Sequence, residues 1–221
     1  MYKKFPLKKI SKSKDFYLEY INQKNDLLQK IDFKELDKII NLLKKSFKNN
    51  NILYSCGNGG SSSLADHFTC DFIKQTNNQT NLKVKSISLA SNFSLISAIA
   101  NDISYEEIFS FQIEKLCKKN DVLFLFSVSG NSPNLVEAIK AAKKIGVKTV
   151  SFTGFNGGKL AKMSDFNLNF PIANFGIAED CQMYPFQILF YCEVPIQVMN
   201  LSRWDGRTAT CTIAGGDESQ S

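Results

Sequence analysis

From Tyr54 to Phe72 the chain reads YSCGNGGSSSLADHFTCDF, with three glycines, four serines, one histidine and two aspartates behind a short apolar run. Glycines let the backbone take positive φ and bring its N–H groups close to an anion, and the helix expected next adds the positive end of its dipole. Ser61, Ser62 and Ser63 offer hydroxyl donors or a helix cap. A tight polar turn reads the same way, so this loop alone does not decide. His67 and Asp71, four apart, share one face of that helix. The spacing suits two ligands on one ion, and equally a surface His–Asp pair.

A second stretch changes the balance. DVLFLFSVSGNSPNLVEAIKAAKKIG, from Asp121, repeats the grammar: an apolar strand, then Ser127, Ser129, Gly130, Asn131 and Ser132, then Pro133 at the expected first helical position. Ser132 is placed to cap that helix, which leaves Ser127 and Ser129 unexplained. Hydroxyls converging with backbone N–H groups at a helix start suit a phosphate monoester, with no need for the lysine and metal of a P-loop. Two such loops at the carboxyl ends of strands in one α/β sheet would share a crevice.

The elements that must position these loops follow from periodicity. Residues 14–50 carry Phe16, Tyr20, Ile21, Leu27, Leu28, Ile31, Leu36, Ile39, Ile40, Leu42 and Leu43 three or four apart, which predicts two helices before the first strand. Short apolar runs then alternate with helical ones. NILYSC, VKSISLA, DVLFLFSVS, VKTVSFTG and FNLNFP read as strands, with helices near 61–75, 93–118, 133–145 and 157–163. This alternation predicts a parallel sheet covered on both faces. The apolar run from Ala178 to Met199 would close the domain. Pro185 is tolerable only near a first turn, so the helix should start around Gln182 to Tyr184 or kink there; Pro195 lies further on. After Leu201 the composition shifts to small polar residues without lysine or asparagine, so residues 202–221 read as a disordered or appended tail.

The 221 residues can bury a substantial core in one domain. Six cysteines without a CxxC pair read as free thiols. The basic N-terminus lacks the apolar core of a signal peptide, and no run of about 20 apolar residues follows. We expect a cytoplasmic protein with no membrane span. The net charge of +6 favours acidic ligands, but the lysines are spread along the chain and no nucleic-acid motif is present, which argues against nucleic-acid binding.

In order and spacing, CGNGGSSSLADHF, AIANDISYEEIFSFQIE, SVSGNSPNLVEAIKAAKKIGVKTVSFTGFNGGKLAKMSD and GIAEDCQM resemble the SIS (sugar isomerase) phosphosugar-binding domain, and within it the phosphoheptose isomerase group. The resemblance spans about residues 15–200 and rests on paired glycine–serine loops, which are more specific than a lone GxGxxG. It implies an α/β, flavodoxin-like three-layer αβα sandwich with a five-stranded parallel sheet. Residues 1–50 would be a helical extension packing in the oligomer and 51–200 the SIS domain. The assembly would be a homotetramer with active sites between subunits. Asn58, Gly59, Gly60, Ser61, Asn101, Asp102, Ser127, Val128, Ser129, Ser132 and Glu179 become substrate-binding positions, although Val128 stands where threonine is usual.

The resemblance also makes His67 a metal-ligand position and implies one zinc per subunit, held by His67, Asp71, Glu179 and Gln187. Three of these depart from the group's pattern: Asp71 stands where many members have glutamate, Glu179 where they have glutamine, and Gln187 where they have histidine. An amide neither transfers a proton near neutral pH nor binds zinc as imidazole does, so acid–base work falls to Asp71 or Glu179, with His67 assisting. The set is richer in oxygen than zinc usually takes, and the sequence leaves the metal open.

The implied reaction converts D-sedoheptulose 7-phosphate to D-glycero-D-manno-heptose 7-phosphate through an enediol, for bacterial surface heptose. The alternatives are a non-catalytic SIS protein, either a phosphosugar sensor or a protein partnering a DnaA-type initiator, and an isomerase of another sugar phosphate.

Overall fold

The protein's structure, a computed structural model, describes residues 3–6, 9–76 and 83–193. Residues 202–221, Pro195 and the expected end of the last helix at Met199 lie outside them. A short strand β1 (Lys3–Lys4) precedes helices α1 (Ser13–Leu28) and α2 (Phe33–Lys48). Strand β2 (Ile52–Gly57) runs into α3 (Gly60–Asp71), which a π-helical turn (Phe72–Thr76) extends. Then come β3 (Lys85–Ser88), α4 (Phe93–Asp102), a 3₁₀ turn (Tyr105–Glu107), α5 (Ser110–Leu116), β4 (Val122–Ser127) and α6 (Pro133–Ile145). The chain continues through β5 (Lys148–Gly154), α7 (Gly158–Met163), β6 (Phe166–Phe170), β7 (Ile172–Ala173) and α8 (Phe175–Glu193).

Five strands form one parallel sheet in the order β3-β2-β4-β5-β6. The α/β architecture with a five-stranded parallel sheet is therefore as the sequence implies. Strand alternation explains how both faces are filled. Along the fully buried β4, Val122, Phe124 and Phe126 enter one core with Leu36, Ile39 and Leu43 of α2 and Phe68 of α3. Leu123 and Leu125 enter the other, with Ile113 of α5 and Leu135 and Ile139 of α6. Order reverses between β2 and β4, the two strands that feed the glycine–serine loops. That reversal opens a crevice at their carboxyl ends.

Local signals fix the helix ends. Asp32 caps α2, its side chain accepting from the Glu35 N–H at 3.0 Å. Pro133 begins α6, and Gly146, with φ of 87°, ends it in the left-handed conformation. Two expectations need correction. The stretch 93–118 is not one helix: the chain turns out at Ile103 and Ser104 and carries Tyr105 over the first loop. Helical spacing on both sides of the break hides it from a periodicity argument. Helix α8 starts at Phe175, seven residues before Gln182, because Asn174 caps it by accepting the Ile177 N–H at 2.9 Å. Pro185 lies inside this helix, where it cannot donate to the carbonyl of Cys181.

No helix among the described residues is long and apolar enough to cross a membrane. Cys56, Cys70, Cys117 and Cys181 are free thiols.

Candidate active site

The loops after β2 and β4 enclose a cleft of about 260 Å³, lined by Asn58, Gly60, Ser61, Phe126, Ser127, Val128, Ser129, Ser132, Phe175 and Glu179. In the second loop Gly130 has φ of +64°, and a Cβ there would meet the Gly157 carbonyl oxygen at 2.1 Å, so only glycine fits. This loop is braced from outside: the Leu160 N–H donates to the Gly130 carbonyl at 3.0 Å, and the Lys159 N–H donates to Asn131 Oδ1 at 3.1 Å.

The hydroxyls are set for an anion. Ser127 Oγ accepts the Gly130 N–H and Ser129 Oγ accepts the Asn131 N–H, both at 3.2 Å, so each keeps its own O–H to donate. Ser132 occupies the cap position of α6 but makes no side-chain cap bond, contrary to the expected capping role. Its hydroxyl lines the cleft instead. Val128 contributes an almost fully buried side chain with no polar atom.

Glu179 closes the cleft from α8. A Cβ on Gly60 would lie 2.6 Å from Glu179 Oε1, so the absence of a side chain at 60 is what lets this carboxylate approach the first loop. Burial, and then the neighbouring Asp180 carboxylate, push the Glu179 carboxyl above the usual carboxylate range. Asp180 is itself held by the Tyr20 hydroxyl at 3.1 Å.

The first loop is tied to the first turn of α6, just beyond the second loop, by an exchange of amide hydrogen bonds. Asn58 Nδ2 donates to Asn134 Oδ1 at 2.9 Å, and Asn134 Nδ2 donates to Asn58 Oδ1 at 2.8 Å. The Tyr105 hydroxyl adds a third bond to Asn58 Oδ1 at 3.1 Å.

His67, Asp71 and Gln187 gather at a separate point. Asp71 is buried. Its Oδ2 accepts from Gln187 Nε2 at 2.7 Å and lies 3.3 Å from His67 Nε2, which is 3.4 Å from Gln187 Nε2. Helices α3 and α8 thus run side by side, with Gly60 against Glu179 at one end and Asp71 against Gln187 further along. Eight residues separate Glu179 from Gln187, about 12 Å of helix axis. Among the described residues no group of three or more His, Cys, Asp or Glu side chains could hold a metal ion.

Most sequence-derived substrate positions therefore meet in one cleft. Gly59, with φ of 55°, shapes the first loop without lining it. Asn101 and Asp102 are exposed at the end of α4, outside the lining, where the Asn101 amide donates to Asp102 Oδ1 at 2.8 Å. His67 and Asp71 are also outside the lining. Sequence reasoning missed Asn134, Tyr105, Phe126 and Phe175. A signal existed for Asn134: asparagine is a poor helix former, and here it directly follows the proline that starts α6. A larger groove of about 700 Å³ at the N-terminal segment, lined by residues including Lys4, Lys9, Asp15 and Glu19, contains none of the motifs.

Comparison with known proteins bears on this geometry. The SIS domain profile matches residues 17–154. The chain is 42% identical over 132 residues to a phosphoheptose isomerase of Helicobacter pylori strain Shi470, covering 60% of this chain and 68% of that one. It is 34% identical over 181 residues to the phosphoheptose isomerase of Vibrio parahaemolyticus, covering 79% and 92%. A solved phosphoheptose isomerase from Neisseria gonorrhoeae superposes with a TM-score of 0.74 at 30% identity, over 81% of this chain and 95% of that one.

Proposed function

Since the chain belongs to the SIS domain family, we propose that it is a phosphoheptose isomerase, an aldose–ketose isomerase acting on a sugar phosphate. One observation carries the chemistry beyond kinship: Glu179, the carboxylate whose charge the cleft disfavours, lines the same cleft as Ser127, Ser129 and Ser132. The substrate class then follows from what each part can do. The serine hydroxyls and loop N–H groups hold the phosphate, the end of the sugar remote from the proton transfer.

Glu179 takes a proton from C1 of the ketose; the C–H electrons form the C1–C2 double bond, and the C2=O π pair moves onto O2. The same carboxylic acid returns the proton to C2, while a second proton passes from O1 to O2. The net change is a hydrogen moved between adjacent carbons, with no oxidant or reductant.

Zinc in the family's pattern would draw on His67, Asp71, Glu179 and Gln187. The donor set present does not fit it. A catalytic zinc uses three strong protein donors, whereas the gathered residues supply one imidazole and one carboxylate, and Gln187 turns its N–H toward that carboxylate. No step is routed through a metal.

A homotetramer with the cleft completed by a partner is the assembly we propose. Its support is the exposure of Phe93, Tyr105 and Phe175 at the carboxyl end of the sheet, an apolar rim in need of a cover. Exposed Asn101 and Asp102 would gain a role in such an interface.

The test is incubation of the purified protein with D-sedoheptulose 7-phosphate, with and without added zinc, following the aldose by NMR. Appearance of D-glycero-D-manno-heptose 7-phosphate is expected. A ketose left unchanged in both arms overturns the reading.

A further inference from the structure

Asn58 stands in the first loop and Asn134 in the first turn of α6, beyond the second loop. The β2–β4 ladder ends with Gly57 opposite Phe126, so beyond the sheet the two loops lack its hydrogen bonds, and the asparagines that meet there are 76 residues apart. Yet the cradle needs hydroxyls from one loop and backbone from the other on the same anion. Asn134 is 1% exposed, so its amide has given up water and depends on protein partners. Among the described residues it finds them in Asn58: both members donate and both accept, at 2.9 and 2.8 Å. With the Tyr105 hydroxyl also donating to it, Asn58 Oδ1 has both lone pairs engaged, and Asn58 Nδ2 keeps one N–H. Asn58 is therefore engaged in three side-chain hydrogen bonds, with one donor left over. The break between α4 and α5 is what brings Tyr105 to this point.

We infer that Asn134 and Tyr105 are positioning residues for the sugar-phosphate site, acting through Asn58 to set the spacing of the two loops and the direction of its remaining N–H. The inference rests on the phosphosugar reading above. The phosphate end is bound alike in ground and transition states, so a loosened cradle raises KM and leaves kcat nearly unchanged.

Asn134→Ala, which removes two hydrogen bonds to Asn58, is expected to raise KM for D-sedoheptulose 7-phosphate about tenfold, with kcat within about twofold. Tyr105→Phe, at a half-exposed position where folding is not at stake, is expected to raise KM about threefold. The dissociation constants of the sugar phosphate and of inorganic phosphate, measured by calorimetry, should rise in step. In a double-mutant cycle, Asn134→Ala should add little to Asn58→Ala, because Asn134 acts through Asn58.

Variants with dissociation constants and KM within a factor of two of the parent, whatever their melting temperatures, overturn the inference. If Asn134→Ala does not fold, Tyr105→Phe decides by the same measure. A parent protein that binds D-sedoheptulose 7-phosphate without isomerising it refutes the isomerase reading, and the binding comparison still judges the inference.

Discussion

Glu179 carries its charge where the fold disfavours it, and two consequences follow. The mechanism we propose uses the carboxylate, so kcat/KM should rise with pH as Glu179 ionises, with its midpoint above the usual carboxylate range, as a pH–rate profile would read. Stability runs the other way: a carboxyl whose pKa is raised on folding contributes most when protonated, and that contribution is lost as pH rises from the unfolded to the folded pKa. Glu179→Gln should therefore lower kcat by about 10²-fold or more while its melting temperature at pH 7 stays equal or rises. Gln187 invites the converse experiment. Gln187→His would replace the amide that donates to Asp71 with a second imidazole beside His67 and Asp71. Zinc affinity, measured by calorimetry on the metal-stripped protein, should rise at least about tenfold over the parent, since a third strong donor completes the set.

At the scale of elements, α8 matters most because it presents both Glu179 and Gln187. Its start is set by Asn174, whose side chain caps Ile177, and the first turns of the helix bring Glu179 to Gly60. Asn174→Ala should cost about 1 kcal/mol of stability, read from denaturant unfolding, and should lower kcat because the carboxylate loses its fixed approach. This start was not legible from composition: Pro185 argues for a later one, and only the side-chain contact of Asn174 overrides it. The two loop-bearing units, β2 with α3 and β4 with α6, were legible, since an apolar strand, a glycine–serine turn and a helical pattern follow one another without interruption. The division of 93–118 was not, because nothing in its residue spacing marks where the chain turns out.

For the whole molecule, the strand order β3-β2-β4-β5-β6 puts the two loops on adjacent strands at the point of reversal. The apolar rim at that end of the sheet gives the proposed tetramer its rationale. Light scattering should return about four times the 24.8 kDa chain mass, and substitution of the exposed Phe93 by aspartate should lower that mass, since a charge on a buried rim is costly. A monomer with full activity would contradict the assembly.

The sequence by itself determined the layered α/β plan, the two glycine–serine loops and the identity of the acidic and hydroxyl groups, because these are written in local periodicity, in glycine and serine spacing and in residue chemistry. Tertiary structure alone decided which of those groups meet. It drew Glu179 to the glycine–serine loops and His67, Asp71 and Gln187 to a point further along α3 and α8, since helix packing, not sequence distance, sets side-chain proximity. It also paired Asn58 with Asn134, because a buried amide must find its partners wherever the fold brings them.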